Sequence, residues 1–209
     1  KQARAVSVHP EGGSGKPKPF VTIEYTASDR QGETEEVDYD FLVNATGPKL
    51  NFEATEGLGP KNHTVSVCAY DHAAHAWKKL QEAIERMKGG ETVRFLFGTG
   101  HATSTCQGAA FEYTLNVAHL IKTLGLSDKA DITWISNEYE LGDFGMGGAF
   151  IKRGGYVTPT RVFSESIFAE YGVKWIKRAG VYKLEEGVCH YETLEGEYKS
   201  VSFDFAMLI

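Results

Sequence analysis

The sequence predicts an α/β fold, a parallel sheet with antiparallel β-meanders attached, and three observations lead there. Residues 92–97 (TVRFLF) and 131–136 (DITWIS) are near-continuous apolar runs, the pattern of strands buried on both faces of a parallel sheet. Between them, residues 109–123 repeat apolar positions at helical spacing behind a turn of small residues, Gly98 to Gly108. That strand–turn–helix–strand order opens a dinucleotide-type βαβ unit. The flanking segments alternate apolar and polar residues, as half-buried antiparallel strands do.

The elements follow in order. Residues 3–8 and 20–25 (FVTIEY) are strands, separated by the glycine-rich loop Glu11-Gly12-Gly13-Ser14-Gly15-Lys16-Pro17. A turn at 29–32 leads to strands at 35–38 and 39–44 (YDFLVN), a small meander. Ala74, Trp77, Leu80, Ile84 and Met87 mark a helix that Gly89-Gly90 ends, with Asp71 as its expected N-cap. After the βαβ unit come a helix at 159–171 and strands at 173–177, 187–193 and 202–209. Residues 39–43 (YDFLV) are echoed by residues 203–207 (FDFAM), each closing a meander.

The 209 residues, 42% hydrophobic and 24% charged, suit a globular protein with a real core. The net charge of −6 and the lack of a basic stripe argue against a nucleic-acid partner. No apolar run approaches the roughly 20 residues of a membrane-spanning helix. Three widely spaced cysteines make neither a disulfide scaffold nor a zinc site, which draws close pairs. The chain opens without a strand–GxGxxG–helix unit and stops on Ala206-Met207-Leu208-Ile209, so it is expected to be an internal fragment.

Residues 39–47 (YDFLVNATG) resemble the strand and A-T-G turn of two-dinucleotide-binding flavoproteins. Val67-Cys68-Ala69-Tyr70-Asp71-His72-Ala73 resembles the C-x-x-D-H-A segment of sulfide:quinone oxidoreductases. Residues 105–113 (TCQGAAFEY) resemble their C-x-G-x-A-[YF]-E-Y segment, and residues 137–145 (NEYELGDFG) match their loop after the second strand in outline. The cysteine segments, 38 positions apart and behind an ATG turn, are specific together. Many family members carry His where Asp143 stands, which leaves a proton-handling role for that loop unsupported.

The resemblance implies a FAD/NAD(P)-binding-type three-layer (ββα) fold, Rossmann-like, within a two-dinucleotide-binding-domain flavoprotein. Residues 1–60 would end the first FAD-domain segment, and residues 61–209 would form a second dinucleotide-binding-like domain carrying the redox cysteines. It implies FAD as cofactor, with Ala45, Thr46, Gly47 and Pro48 beside it, although the fragment alone is expected to be inactive and not to retain FAD. Cys106 is expected to be half of a redox disulfide whose partner lies outside this chain. Its place before a helix, at the positive end of the dipole, favours thiolate and nucleophilic attack on sulfur. Cys68 is a second cysteine near the flavin, bonded to it or used in sulfur transfer, and otherwise an inert loop residue. Glu112, expected in the first helical turn, and His72 are either proton carriers or ordinary residues of helix starts. Cys189, in a hairpin, is a bystander.

The full-length protein implied in this way oxidises sulfide or polysulfide and reduces a quinone, as a peripheral membrane protein held by regions outside this chain. Its oligomeric state stays open, and the segment alone would be soluble. Three alternatives remain. A type II NADH dehydrogenase needs a nucleotide-binding glycine turn where Cys106 stands. A flavocytochrome sulfide dehydrogenase flavin subunit passes electrons to a haem protein. A non-catalytic nucleotide-fold binding module would use its cysteines structurally.

Overall fold

The computed structural model describes residues 1–47 and 49–209. Contacts divide the chain into two units, Lys1–Lys49 and Leu50–Ile209, so residues 50–60 pack with the second.

In the first unit, β1 (Ala3–His9), β2 (Phe20–Tyr25) and β3 (Thr34–Asp38) form an antiparallel sheet in that order. Phe20 and Tyr25 are its buried anchors; the His9 ring stacks on Phe20 and the Arg30 guanidinium lies 3.6 Å over Tyr25. The strand expected at 39–44 does not form. The Tyr39 N–H donates to the Pro19 carbonyl at 3.1 Å, and beyond it the chain leaves the ladder. Phe41 is 95% and Val43 85% exposed. An extended run is fixed by hydrogen bonds to a neighbouring strand, and none lies beside it among the described residues.

In the second unit, helix α1 (Tyr70–Lys88) leads to β4 (Val93–Gly98), α2 (Gln107–Thr123) and β5 (Ala130–Ile135). A hairpin absent from the sequence reading follows, β6 (Phe150–Arg153) and β7 (Tyr156–Pro159). Then come α3 (Thr160–Glu170), β8 (Lys174–Ile176), and an antiparallel meander of β9 (Ala179–Glu185), β10 (Val188–Thr193) and β11 (Tyr198–Ser202). The last strand, β12 (Phe205–Leu208), returns to the parallel sheet, whose order is β12-β4-β5-β8. Val65 adds a parallel bridge to Met207 at the β12 edge.

The period of two along each strand sorts the core into two layers. Val93, Phe95, Phe97, Ile132, Trp134, Phe205 and Met207 face α1, α2 and α3. Leu96, Ile135, Ala206 and Leu208 face the meander, against Val181, Leu184 and Cys189. Trp134 is fully buried, edge-on to Phe111 and Phe168. The result is three layers: helices, parallel sheet, meander.

Two local expectations need correction. Ala69, with extended backbone, is the N-cap of α1, and Asp71 lies inside the first turn, where its charge complements the dipole without a capping bond. The strand expected at 202–209 is two strands, broken at Phe203-Asp204. The break has a cause: Asp204 Oδ2 accepts both the backbone N–H and the Nε–H of Arg94 at 2.9 Å, and Oδ1 accepts from its other nitrogen at 3.0 Å. This fork aligns β12 with β4.

The Arg94 guanidinium holds the Asp204 carboxyl at about 2, against an ordinary value of 3.8. A depressed carboxylate contributes stability that is complete above the unfolded value and is lost as pH falls through the folded one. Asp204→Asn is therefore expected to destabilise the chain by about 1 kcal/mol at neutral pH, after allowance for the half-exposed arginine. The gap between variant and parent should close between about pH 4 and pH 2 in urea titrations. An unchanged gap across that window would remove the ion pair from the account.

Candidate functional site

All strands of the central sheet are parallel, so their carboxyl ends share one edge. In open α/β sheets ligands bind outside that edge. Five segments leave it here: Val65 to Cys68, Gly98 to Cys106 after β4, Ser136 to Gly148 after β5, Lys177-Arg178 after β8, and Ile209 after β12.

Cys106 is the N-cap of α2 and is exposed. No side chain caps that helix, so the cysteine stands at a helix start whose first amides point toward it. Cys68 is also exposed, one residue before the α1 cap, with its N–H donated to Ser66 Oγ at 3.2 Å. The two segments flank β12, so they lie on strand lines roughly 10 Å apart. Cys189 faces the meander core and is fully buried, and burial pushes its thiol up to about 12. It stays protonated.

His72 lies in the first turn of α1, half-buried, its ring 5.8 Å from Phe52. Its Nδ1 is buried and makes no hydrogen bond among the described residues. Glu112 is exposed and lies in the second turn of α2, because the helix opens at Gln107, earlier than expected. The dipole effect has weakened there. Tyr113 packs edge-on against Phe97, and burial pushes its hydroxyl up to about 12.

Sequence reasoning missed what holds the Cys106 turn. The Asn137 side chain donates to the carbonyls of Ala102 (2.8 Å) and Ser104 (3.0 Å), and its backbone N–H to Thr99 Oγ1 (3.1 Å). Gln107, buried, donates to the Ser104 carbonyl (2.8 Å) and to Asn137 Oδ1 (2.9 Å). The Ser104 hydroxyl donates to the Ile209 carbonyl at 2.8 Å. Two loops and the end of β12 thus form one braced frame around residues 99–107. The local sequence carries no signal of this brace, since the burial of Gln107 and the approach of Asn137 are set by the fold.

The loop after β5 is stiffened in turn. Glu138 accepts the Phe144 N–H at 2.6 Å and the Ser136 hydroxyl at 2.9 Å, and burial raises its carboxyl. Phe144 sits at φ +50, a conformation uncommon for a bulky residue. Asp143 accepts the Glu140 N–H at 2.9 Å, closing the turn. Beside this loop lies an open cleft of about 370 Å³, bordered by His101, Ala102, Asn137, Tyr139, Arg178 and Glu192.

Of the residues expected beside the flavin, Ala45, Thr46 and Gly47 are exposed in the first unit, and Pro48 lies outside the described residues. Asn44 Oδ1 accepts the Thr46 N–H at 3.2 Å and its hydroxyl at 2.9 Å, preforming a turn. Gly47 has φ +77, with open space where a Cβ would stand. Bare backbone on a preformed turn fits close approach by a flat ring.

No sequence-family profile matches the chain. Over 175 residues, 84% of its length, it is 32% identical to the sulfide-quinone reductase of Aquifex aeolicus (strain VF5) and covers 37% of that protein. The solved sulfide:quinone oxidoreductase of Aquifex aeolicus matches 99% of the chain with a TM-score of 0.69 and 29% identity, the chain covering 41% of it. NDH2 from Plasmodium falciparum in complex with NADH matches all of it at TM-score 0.59 and 14% identity, over 40% of that chain. A NAD-dependent persulfide reductase from A. fulgidus matches 99% at TM-score 0.51 and 20% identity, over 30% of that chain. The last two share the fold alone, an α/β fold of the three-layer FAD/NAD(P)-binding type. By sequence and by fold, then, the chain is related to a segment of the sulfide:quinone oxidoreductases, an oxidoreductase family, and it spans about two fifths of the length of the relatives it matches.

Proposed function

We propose that the full-length protein oxidises sulfide and passes the electrons through FAD to a quinone, with Cys106 as half of its redox disulfide. The observation that carries this is the place of Cys106. It is an exposed thiol at the start of α2, beyond the carboxyl end of β4, where dinucleotide folds put the phosphate-binding glycine turn. The glycine turn has given way to sulfur chemistry.

The chemistry assigned to the chain's own residues is limited. Hydrosulfide attacks one sulfur of the disulfide; a new S–S bond forms with it, the old bond breaks, and the other cysteine leaves as thiolate. Asn137 and Gln107 hold the turn that presents Cys106. In this reading Cys68, exposed on the same edge, is a second sulfur carrier, and His72 and Glu112 move the protons released by the incoming sulfide. When bound, FAD accepts the two electrons given up as sulfide sulfur is oxidised, with Ala45, Thr46, Gly47 and Pro48 against it. The 209-residue chain alone lacks activity and firm FAD binding in this reading, and the full-length protein is peripheral to the membrane where its quinone resides. Among the described residues no helix is long and apolar enough to cross a membrane.

The test is anaerobic flavin reduction in the full-length protein. Sulfide should bleach the flavin absorbance and a soluble ubiquinone analogue should restore it, while NADH leaves it unchanged. Bleaching by NADH with sulfide inert would assign the protein to the NADH dehydrogenases instead.

A further inference from the structure

Among the described residues the hairpin β6–β7 pairs with no other strand, and a lone two-stranded hairpin is marginal in water. Its register sets Phe150, Lys152, Val157 and Pro159 on one face, and Ile151, Arg153, Tyr156 and Thr158 on the other. Phe150 and Tyr156 are each 74% exposed and Val157 56%, so apolar side chains meet solvent on both faces. The exposed apolar stretch continues on either side, with Met146 before the hairpin and Val162 and Phe163 on α3 after it. An apolar surface of this density marks an interaction site.

Charge identifies the occupant. From residue 144 to residue 164 there is no Asp or Glu, and the three charged residues are Lys152, Arg153 and Arg161, of which Arg161 lies 3.9 Å from Glu165 on α3, so the hairpin's own Lys152 and Arg153 carry the charge argument. The whole chain carries −6, so this stretch is basic on an otherwise acidic molecule. A protein partner docked on one face would leave the other face of the ribbon wet, whereas a lipid interface surrounds both. Exposed aromatics beside lysine and arginine, without acids, suit the headgroup layer of an anionic bilayer.

We propose that the β6–β7 hairpin, with the first turn of α3, inserts edge-on into the surface of an anionic membrane, Phe150, Tyr156 and Val157 entering the acyl boundary and Lys152 and Arg153 meeting lipid phosphates. This sets a lipid contact within the present chain, and its test is independent of the sulfide chemistry.

The experiment is sedimentation of the 209-residue chain with vesicles of phosphatidylcholine mixed with phosphatidylglycerol, and with vesicles of phosphatidylcholine alone. The parent should pellet with the mixed vesicles and lose that binding in high salt. The double variant Lys152→Glu/Arg153→Glu and the double variant Phe150→Ser/Val157→Ser should each weaken binding about tenfold or more, with unchanged circular dichroism. Should the serine variant misfold, Phe150→Trp serves in its place, its emission shifting to the blue on mixed vesicles. The proposal is overturned if the parent stays in the supernatant, or if both double variants bind as the parent does. It is equally overturned if the hairpin substitutions dissociate a self-associated species while vesicle binding is absent.

Discussion

Cys106→Ser in the full-length protein is expected to stop sulfide-dependent quinone reduction, by about 10³-fold or more. A serine oxygen cannot share the redox disulfide, so hydrosulfide has no S–S bond to open at that position. The substitution sits on the exposed N-cap of α2, a position where serine is a favoured residue, so the fold should be kept or slightly stabilised. That separates chemistry from stability. Stopped-flow bleaching of the flavin by sulfide should disappear, while the flavin absorbance and the unfolding midpoint stay at parental values. Sulfide-dependent turnover within a few-fold of the parent would remove Cys106 from the mechanism.

Gly98→Ala is expected to have the largest effect on the fold, about 3 kcal/mol or more, or failure to fold. Gly98 ends β4 at φ +139, and a Cβ there would lie 1.7 Å from the Ile135 carbonyl oxygen. That carbonyl also accepts the Thr99 N–H at 2.9 Å, and the Gly98 carbonyl accepts the Ile209 N–H at 2.9 Å. Three strands therefore meet at a point with no room for a methyl group, and relief would require β4 and β5 to separate. Gly108, the second residue of α2 with open space around it, is the control. Gly108→Ala should leave stability unchanged or raise it by up to about 1 kcal/mol. Urea unfolding of the two variants measures the contrast, and equal midpoints would refute the steric account.

The legible part of this fold is the part that sequence-local physics determines. Helix α1 shows in the spacing of Leu80, Ile84 and Met87, and β4 and β5 show in their unbroken apolar runs, because both are buried by what lies on either side of them. The hairpin β6–β7 carried a signal, Gly154-Gly155 between alternating residues, but no core face to reinforce it. Residues 39–44 show the converse: the pattern of a strand, without a neighbour to make it one. The split between β11 and β12 depends on Arg94, 110 residues from Asp204, and no local window contains both. The site divides in the same way. That Cys68 and Cys106 each stand just ahead of a helix was readable locally, whereas the Asn137–Gln107 brace joins residues 30 positions apart and is visible only in three dimensions.

The third thiol has a use of its own. Cys68 and Cys106 are exposed while Cys189 is sealed between sheet and meander, so a thiol-counting reagent reaches two sulfurs in the folded chain and three in the unfolded one. Slow modification of Cys189 then proceeds only through opening of the meander layer, at a rate set by the free energy of that opening. The chain contains a native stopwatch for its own breathing, read by mass, with no label added.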